Sequence, residues 1–235
     1  MTSLFRISAA AGIAGAVITF VFGILHPKGT TDLGSVSEWM SRVHSSDVWN
    51  VVHFALAIAA VLMLVAIVGI SRSYPEEGAA SWARAGLFIA TVTTSAALGT
   101  FLIDGAVVKE TADRFATSPG DAAARGAALL ATDIGFILVA GLQIMTGITA
   151  AIFGVAGLQT RAHPVYLAWL ALVTAVIGIF PGAAHYVFGS GTWSVSASYV
   201  SSALFAIWIL AMSRRLWGWR ANAFGVPASA SEAAT

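Results

Sequence analysis

The sequence predicts an all-α fold: a bundle of six transmembrane helices forming one domain, residues 1–220, followed by a disordered cytoplasmic tail, residues 221–235. Composition is the first reason. Of the 235 residues, 58% are hydrophobic and only 10% are charged, and the mean hydropathy is +0.84. Soluble domains carry roughly 25% charged residues. A chain this poor in charge is typical of an integral membrane protein, whose partner is the lipid bilayer.

The second reason is the number of long apolar segments. Six can be counted, and each can span a bilayer, because about 20 apolar residues at about 1.5 Å each match a hydrocarbon core of about 30 Å. They are residues 4–25, 48–71, 82–107, 127–157, 164–182 and 197–213. The fourth is longer than a span requires, so we expect it to tilt, to project beyond the lipid, or to break near Gly154 or Gly157. Packing is expected through small residues, namely Gly12, Ala16, Ala97 and Gly147.

What the sequence lacks narrows the function. It contains no cysteine, which excludes disulfides, thiolate metal sites and cysteine nucleophiles. A net charge of +1 predicts no nucleic-acid surface. The first apolar segment is followed by no cleavage site with small residues of the A-x-A type, so it is interpreted as a first span and not as a signal peptide.

The basic residues set the predicted orientation, because an excess of Lys and Arg marks the cytoplasmic side. With the N-terminus inside, seven lie on the inner side: Arg6, Arg72, Arg84, Arg161, Arg214, Arg215 and Arg220. Five lie on the outer side: Lys28, Arg42, Lys109, Arg114 and Arg125. We therefore expect a multi-pass membrane protein with both termini in the cytoplasm.

Signals between the spans predict further local structure. A short amphipathic helix at the outer membrane surface is expected in the first outer loop, where apolar residues recur at i, i+3, i+4 and i+7: Val36, Trp39, Met40 and Val43. The third helix should continue past the lipid, supported by i,i+4 pairs of Lys109 with Asp113 and of Glu110 with Arg114. Asp121 suits the N-cap of the fourth helix, and Pro181 is expected to kink or end the fifth.

Ionisable residues of the predicted spans gather at one end of the bundle. Five come from five different helices and fall in the outer half: His26, His53, Asp104, Asp133 and His185. Burying an ionisable group in lipid is costly, so such residues mark functional sites. His53, about two turns inside the second span, is the central one.

Each of these residues also has a structural interpretation. His26 could be a loop residue wetted by lipid headgroups, and His53 could make a structural hydrogen bond. Asp104 could be an interfacial acid, and His185 a residue at the mouth of the bundle. Asp133 fits such an interpretation less well, because a lone carboxylate about two turns into lipid must be protonated or paired.

Three functional hypotheses follow from the group. The first is a metal centre for zinc, copper or iron, with ligands from His26, His53, Asp104, Asp133 and His185; a zinc-bound water there would make an intramembrane hydrolase. The second is a b-type haem held between His53 and His185. The third is a solute or proton pathway lined by Asp133, Gln143, Thr146 and His53. No His-Glu-x-x-His spacing occurs, so none of the three has a motif behind it.

Several residues together resemble a known group of proteins. They are His26-Pro27 at the end of the first span, the tryptophan-bearing outer loop, Trp49-x-x-x-His53 at the start of the second span, and its exit from Gly69 to Arg72. Across residues 20–105 the chain resembles a group of six-helix bacterial membrane proteins that has no settled activity. The resemblance implies the six-helix fold and a location in the bacterial plasma (inner) membrane, and it implies no particular chemistry.

The sequence thus favours an outward-facing polar site for a metal or haem near the outer leaflet. The alternative is a small-solute or proton carrier, or a non-enzymatic accessory subunit of a membrane complex. It leaves open whether the protein is an enzyme and whether it forms a homo-oligomer.

Overall fold

The computed structural model of the protein describes residues 2–26, 36–118, 120–189 and 192–218. All regular structure within these ranges is helical, which confirms the predicted all-α class. The helices are α1 (Thr2–Leu25), α2 (Val36–His44), α3 (Trp49–Arg72), α4 (Glu77–Leu102), α5 (Lys109–Thr117), α6 (Ala122–Leu158), α7 (Val165–Phe188) and α8 (Thr192–Trp217), and a π-helical turn, Ile103–Val108, joins α4 to α5. The predicted tail, residues 221–235, lies outside the described ranges.

Within the described ranges, six helical stretches are long and apolar enough to cross a membrane. They follow the six predicted segments in order, with α4, the π-helical turn and α5 forming one continuous stretch. Large apolar side chains lie on the outside of the bundle, such as Ile24, Phe54 and Phe180, which are 77%, 65% and 69% exposed. Apolar surface of this kind is expected where helices face lipid. The architecture therefore indicates a multi-pass membrane protein.

Successive connections lie at opposite ends of the bundle. At one end, which we call the His26 end, the ring of His26 after α1 lies 5.4 Å from that of Trp49 at the start of α3. At the other, the His163 end, the α3–α4 and α6–α7 connections meet: Ser73 Oγ and His163 Nε2 are 2.8 Å apart. This alternation is what antiparallel crossings of a bundle require.

Small residues bring the helices close together, as predicted. A β-carbon on Gly12 of α1 would overlap the Ser213 hydroxyl of α8, and one on Gly147 of α6 would lie 2.7 Å from the Ile179 side chain of α7. Ala16 and Ala97 are also buried. Without a hydrophobic force between helices in lipid, such close approach provides the packing energy.

The expected break in the fourth helix is absent. The helix α6 runs unbroken past Gly154 and Gly157. Both glycines face α7, where a β-carbon on Gly154 would lie 2.7 Å from the Leu172 side chain and one on Gly157 2.8 Å from Cβ of Ala168. Their role is therefore close helix contact and not a hinge.

Pro181 lies inside α7, which continues to Phe188, so it does not end the helix. The glycines on either side of it approach the neighbouring helices. A β-carbon on Gly182 would lie 3.0 Å from the Ala140 carbonyl of α6, and one on Gly178 would lie 3.0 Å from Ser201 Oγ of α8. This segment of α7 is thus pressed against both α6 and α8.

The helix α2 is present, and it packs on α5 and on the start of α3 through the fully buried Met40 and Val43. Lys109 Nζ donates to the His44 carbonyl at 2.8 Å and to Asp113 at 2.7 Å, and His44 Nδ1 lies 2.7 Å from the same carboxylate. These contacts fix the C-terminal end of α2 to α5. Three expected features are confirmed: the Lys109–Asp113 pair, the Glu110–Arg114 pair and the Asp121 N-cap.

Candidate metal centre

Three of the predicted site residues converge at the His26 end. His26 follows α1, His53 lies one turn inside α3, and Asp104 lies in the π-helical turn after α4. One ligand atom from each lies within 4.8 Å of the other two. His53 Nε2 is 3.0 Å from Asp104 Oδ2 and 3.3 Å from His26 Nε2. We call these three residues the triad.

The π-helical turn places Asp104 against α3. π-helical turns are rare and occur often at functional sites. Here the next residue is Gly105, and a β-carbon on it would lie 2.8 Å from Cβ of His53. Only glycine allows the backbone of this turn to approach His53 so closely, and that approach brings the carboxylate of Asp104 within reach of the imidazole.

Trp49 supports both the histidine and the turn. Its indole N–H donates to the Asp104 carbonyl at 2.8 Å, and its own carbonyl lies 2.8 Å from His53 Nδ1. The side chain is fully buried, with the Trp39 ring of α2 at 5.5 Å. The triad is therefore held by hydrogen bonds from the first turn of α3 and covered by α2.

The hydrogen bond to Trp49 fixes the tautomer of His53. A carbonyl oxygen only accepts, so Nδ1 must carry a hydrogen and donate it. In the neutral imidazole Nε2 then presents a lone pair, and it faces the carboxylate of Asp104 and the ring nitrogen of His26. Two or three electron pairs pointing at one another require a shared proton or a cation between them.

The two distances from His53 Nε2 fit a bound metal ion, and the ligand atoms of His26 and Asp104 lie within 4.8 Å of each other. Ligand atoms about 2.0 to 2.2 Å from a zinc ion lie about 2.8 to 3.6 Å apart at right or tetrahedral angles. The separations of His53 Nε2 from Asp104 Oδ2, 3.0 Å, and from His26 Nε2, 3.3 Å, fall in this range. A metal-bound histidine also usually donates its second ring N–H to a carbonyl or carboxylate, which is what His53 does toward Trp49.

The triad borders a cavity of about 480 Å³ between the helices. All three triad residues line it, and most of its remaining wall is apolar, including Phe101, Leu142 and Phe205. His53 is 2% exposed, whereas Asp104 keeps 19% of its side-chain surface exposed. A metal ion held by His26, His53 and Asp104 would therefore lie at the wall of this cavity.

The structure separates the other two predicted ligands from the triad. Asp133 is exposed and does not line the cavity, because the buried face of α6 runs through Thr132, one residue earlier. His185 is buried and lines the same cavity, with its ring 5.8 Å from that of Phe136, but it is not part of the three-residue group. His53 and His185, the pair considered for haem, thus line the same cavity. Nε2 of His53, however, faces His26 and Asp104.

Sequence reasoning missed the residues that organise the triad. Gly105 gives no signal in a chain with 23 glycines, although its position directly after Asp104 could have marked it. The sequence marks Trp49 only by its spacing from His53, four residues earlier. The ring of Tyr199 of α8 lies 6.4 Å from that of His26, a contact that the sequence did not predict.

Comparisons with protein-family models, with curated proteins and with solved structures gave no match to this chain. Its function is therefore inferred from its own residues.

Proposed function

We propose that this protein is a metal-binding protein of the bacterial plasma membrane, in which His26, His53 and Asp104 hold one divalent transition-metal ion. The observation that carries the proposal is the meeting of three ligand atoms from three separate helical segments within 4.8 Å. Two imidazoles and one carboxylate suit zinc, and the same set with open positions is typical of non-haem iron(II).

The surroundings of the triad support binding chemistry over a structural role alone. A structural zinc site is closed by four protein ligands, whereas a site that acts on a molecule keeps a position open. The triad supplies three ligands and borders the cavity. A metal there would polarise, or activate water toward, a molecule bound in the cavity.

The proposed orientation places the triad near the outer leaflet, with both termini in the cytoplasm. The basic residues of the His163 end, which include Arg72, Arg161 and Arg215, support this side as the cytoplasmic one. The helix α2 would then lie at the outer surface over the triad.

The test is metal binding by the purified protein in lipid nanodiscs. We expect one equivalent of Zn²⁺ to bind, and Co²⁺ in its place to give a visible d–d absorption spectrum. His53→Gln and Asp104→Asn should each lower the affinity for Zn²⁺ by at least about tenfold. His44→Gln and Asp133→Asn are matched controls, because each removes the same group outside the triad, and they should bind Zn²⁺ as the unmodified protein does.

Proton sharing is the competing chemistry at the same atoms. A protonated His53 that donates to Asp104 would also explain their 3.0 Å separation. Failure of Zn²⁺, Co²⁺ and Fe²⁺ to bind, or binding that the triad variants leave unchanged, would rule out the metal proposal in favour of this proton-sharing pair.

A further inference from the structure

A second polar group lines the cavity on the side of α6, α7 and α8. It consists of Gln143, His185 and Ser201, one residue from each helix, which are 5%, 4% and 2% exposed. Among the described residues, none of their side-chain nitrogen and oxygen atoms has a hydrogen-bond partner. Buried polar groups are nearly always paired, and an unpaired one costs about 1 to 3 kcal/mol.

The glycines of α7 bring these three residues together. A β-carbon on Gly178 would lie 3.0 Å from Ser201 Oγ, and one on Gly182 would lie 3.1 Å from Cβ of Gln143. His185 lies three residues after Gly182 and seven after Gly178, on the same face of α7. The three polar side chains therefore border one part of the cavity wall.

The chemistry of this part of the wall is neutral. An amide, an uncharged imidazole and a hydroxyl each both donate and accept hydrogen bonds. Of the described residues that line the cavity, Asp104 in the triad is the one carboxylate, and none is lysine or arginine. A charged ligand would thus find no counter-charge beside Gln143, whereas a hydroxyl group, which also donates and accepts, would complement all three side chains.

The rest of the cavity favours an apolar ligand body. Its volume of about 480 Å³ lies within the range of small-molecule sites, about 300 to 1,000 Å³. Ile24 and Tyr199 line it and are also 77% and 42% exposed, which places one edge of the cavity at the apolar outer surface of the bundle. A lipid-soluble molecule could enter there from the bilayer.

We propose that Gln143, His185 and Ser201 form a neutral hydrogen-bonding subsite that binds the hydroxyl group of a lipophilic alcohol or phenol in this cavity. The subsite does not depend on a metal at the triad. If a metal is bound, the ligand in the cavity is the molecule on which it acts.

The experiment compares two probes, 1-naphthol and naphthalene, which differ by the hydroxyl group. Their binding to the full chain in nanodiscs is measured by equilibrium dialysis, with partition into empty nanodiscs subtracted. We expect saturable binding with about tenfold preference for 1-naphthol, the factor that one or two hydrogen bonds provide. Equal affinity for the two probes, or no saturable binding of 1-naphthol, overturns the proposal.

Variants locate the binding. Gln143→Met keeps the side-chain length and removes the amide. Ser201→Ala removes only one oxygen atom, so this variant should keep its fold even if Gln143→Met disturbs packing. Both should lower the preference for 1-naphthol to about twofold or less. Ser95→Ala, a change at an exposed serine outside the cavity, should retain the preference. A preference unchanged in both subsite variants overturns the proposal.

The two proposals fail separately. Gln143→Met and Ser201→Ala should bind Zn²⁺ as the unmodified protein does, and His53→Gln should lose Zn²⁺ while keeping the preference for 1-naphthol. Loss of metal binding alone therefore leaves the subsite standing, and loss of the probe preference alone leaves the metal site standing.

Discussion

Gly105 and His53 are in such close contact that a β-carbon on the glycine would lie 2.8 Å from Cβ of the histidine. Neither atom belongs to a flexible chain end, so a larger residue at 105 must displace α3 or the π-helical turn. The distance between His53 and Asp104 thus depends on a residue that has no side chain.

Gly105→Ala is therefore expected to destabilise the protein and to weaken metal binding. Overpacking of this kind costs about 1 to 3 kcal/mol. The measurements are thermal unfolding in nanodiscs and Zn²⁺ affinity. Gly99→Ala is the matched control, since it lies in α4 and a β-carbon there meets nothing within 4 Å. It should be neutral or slightly stabilising, because alanine favours a helix over glycine. A Gly105→Ala protein as stable as the Gly99→Ala protein would show that the contact relaxes without cost.

Trp49→Phe tests the support of the triad. The change keeps an aromatic ring against Trp39 and removes the indole N–H that donates to the Asp104 carbonyl. We expect a loss of about 1 kcal/mol in stability, the net value of one hydrogen bond, together with weaker Zn²⁺ binding as Asp104 becomes less fixed. Trp169→Phe, at a 57% exposed position, should change neither. If the two variants behave alike, the indole hydrogen bond does not position Asp104.

The six helices could be predicted because lipid imposes a simple length and polarity on each of them. The gathering of His26, His53 and Asp104 followed from the same topology, since the end of one span and the start of the next lie on the same side. The rotation of each helix about its own axis could not be predicted from the sequence. Asp133 lies at the edge of the stripe through Phe136 and Gln143, and one residue decides whether it faces the cavity or the outside.

Local contacts between helices could not be predicted from the sequence either. Gly154 was interpreted as a point of weakness, yet it packs against Leu172. The π-helical turn at Asp104 has no propensity signal, because it arises from how α4 and α3 fit together. Such features depend on the partner helix, which a single sequence does not identify.

The buried His163 predicts a pH dependence of stability at the other end of the bundle. Burial lowers the pKa of His163 from 6.5 to about 4, and the positive charge of Arg215 adds to this, while Ser73 and Glu76 oppose it. Ser73 donates its one hydroxyl hydrogen to the Ile70 carbonyl, so it accepts from the N–H of a neutral His163.

Between pH 6.5 and 4 the unfolded chain therefore binds a proton at His163 that the folded protein does not. The contribution of the neutral His163 to the free energy of unfolding is complete above pH 6.5. It is lost as the pH falls toward 4, by about 3 kcal/mol over the whole interval. Unfolding measured across this range should show the loss for the unmodified protein and for His44→Gln. The His163→Gln protein should lose less stability, and an identical pH profile for it would assign the dependence to other groups.

Asp113 is expected to control the local order of α2. A nine-residue helix is too short to be stable alone, so α2 depends on its contacts with the rest of the protein. Asp113 takes part in the polar contacts that hold α2. It accepts a hydrogen bond from Lys109, which also donates to the His44 carbonyl, and it contacts the His44 ring. Asp113→Ala should speed amide hydrogen exchange in residues 36–44 and leave global unfolding nearly unchanged, because partly exposed ion pairs contribute little to overall stability.

Glu110→Ala is the matched control for this effect. It removes an i,i+4 ion pair within α5, between Glu110 and Arg114. The side chains of Arg114 and Glu110 are 75% and 61% exposed. Exchange in residues 36–44 should stay as in the unmodified protein. If both variants speed exchange equally, α2 responds to the charge of α5 in general. If neither does, the buried Met40 and Val43 hold α2 over the triad without the polar contacts of Asp113.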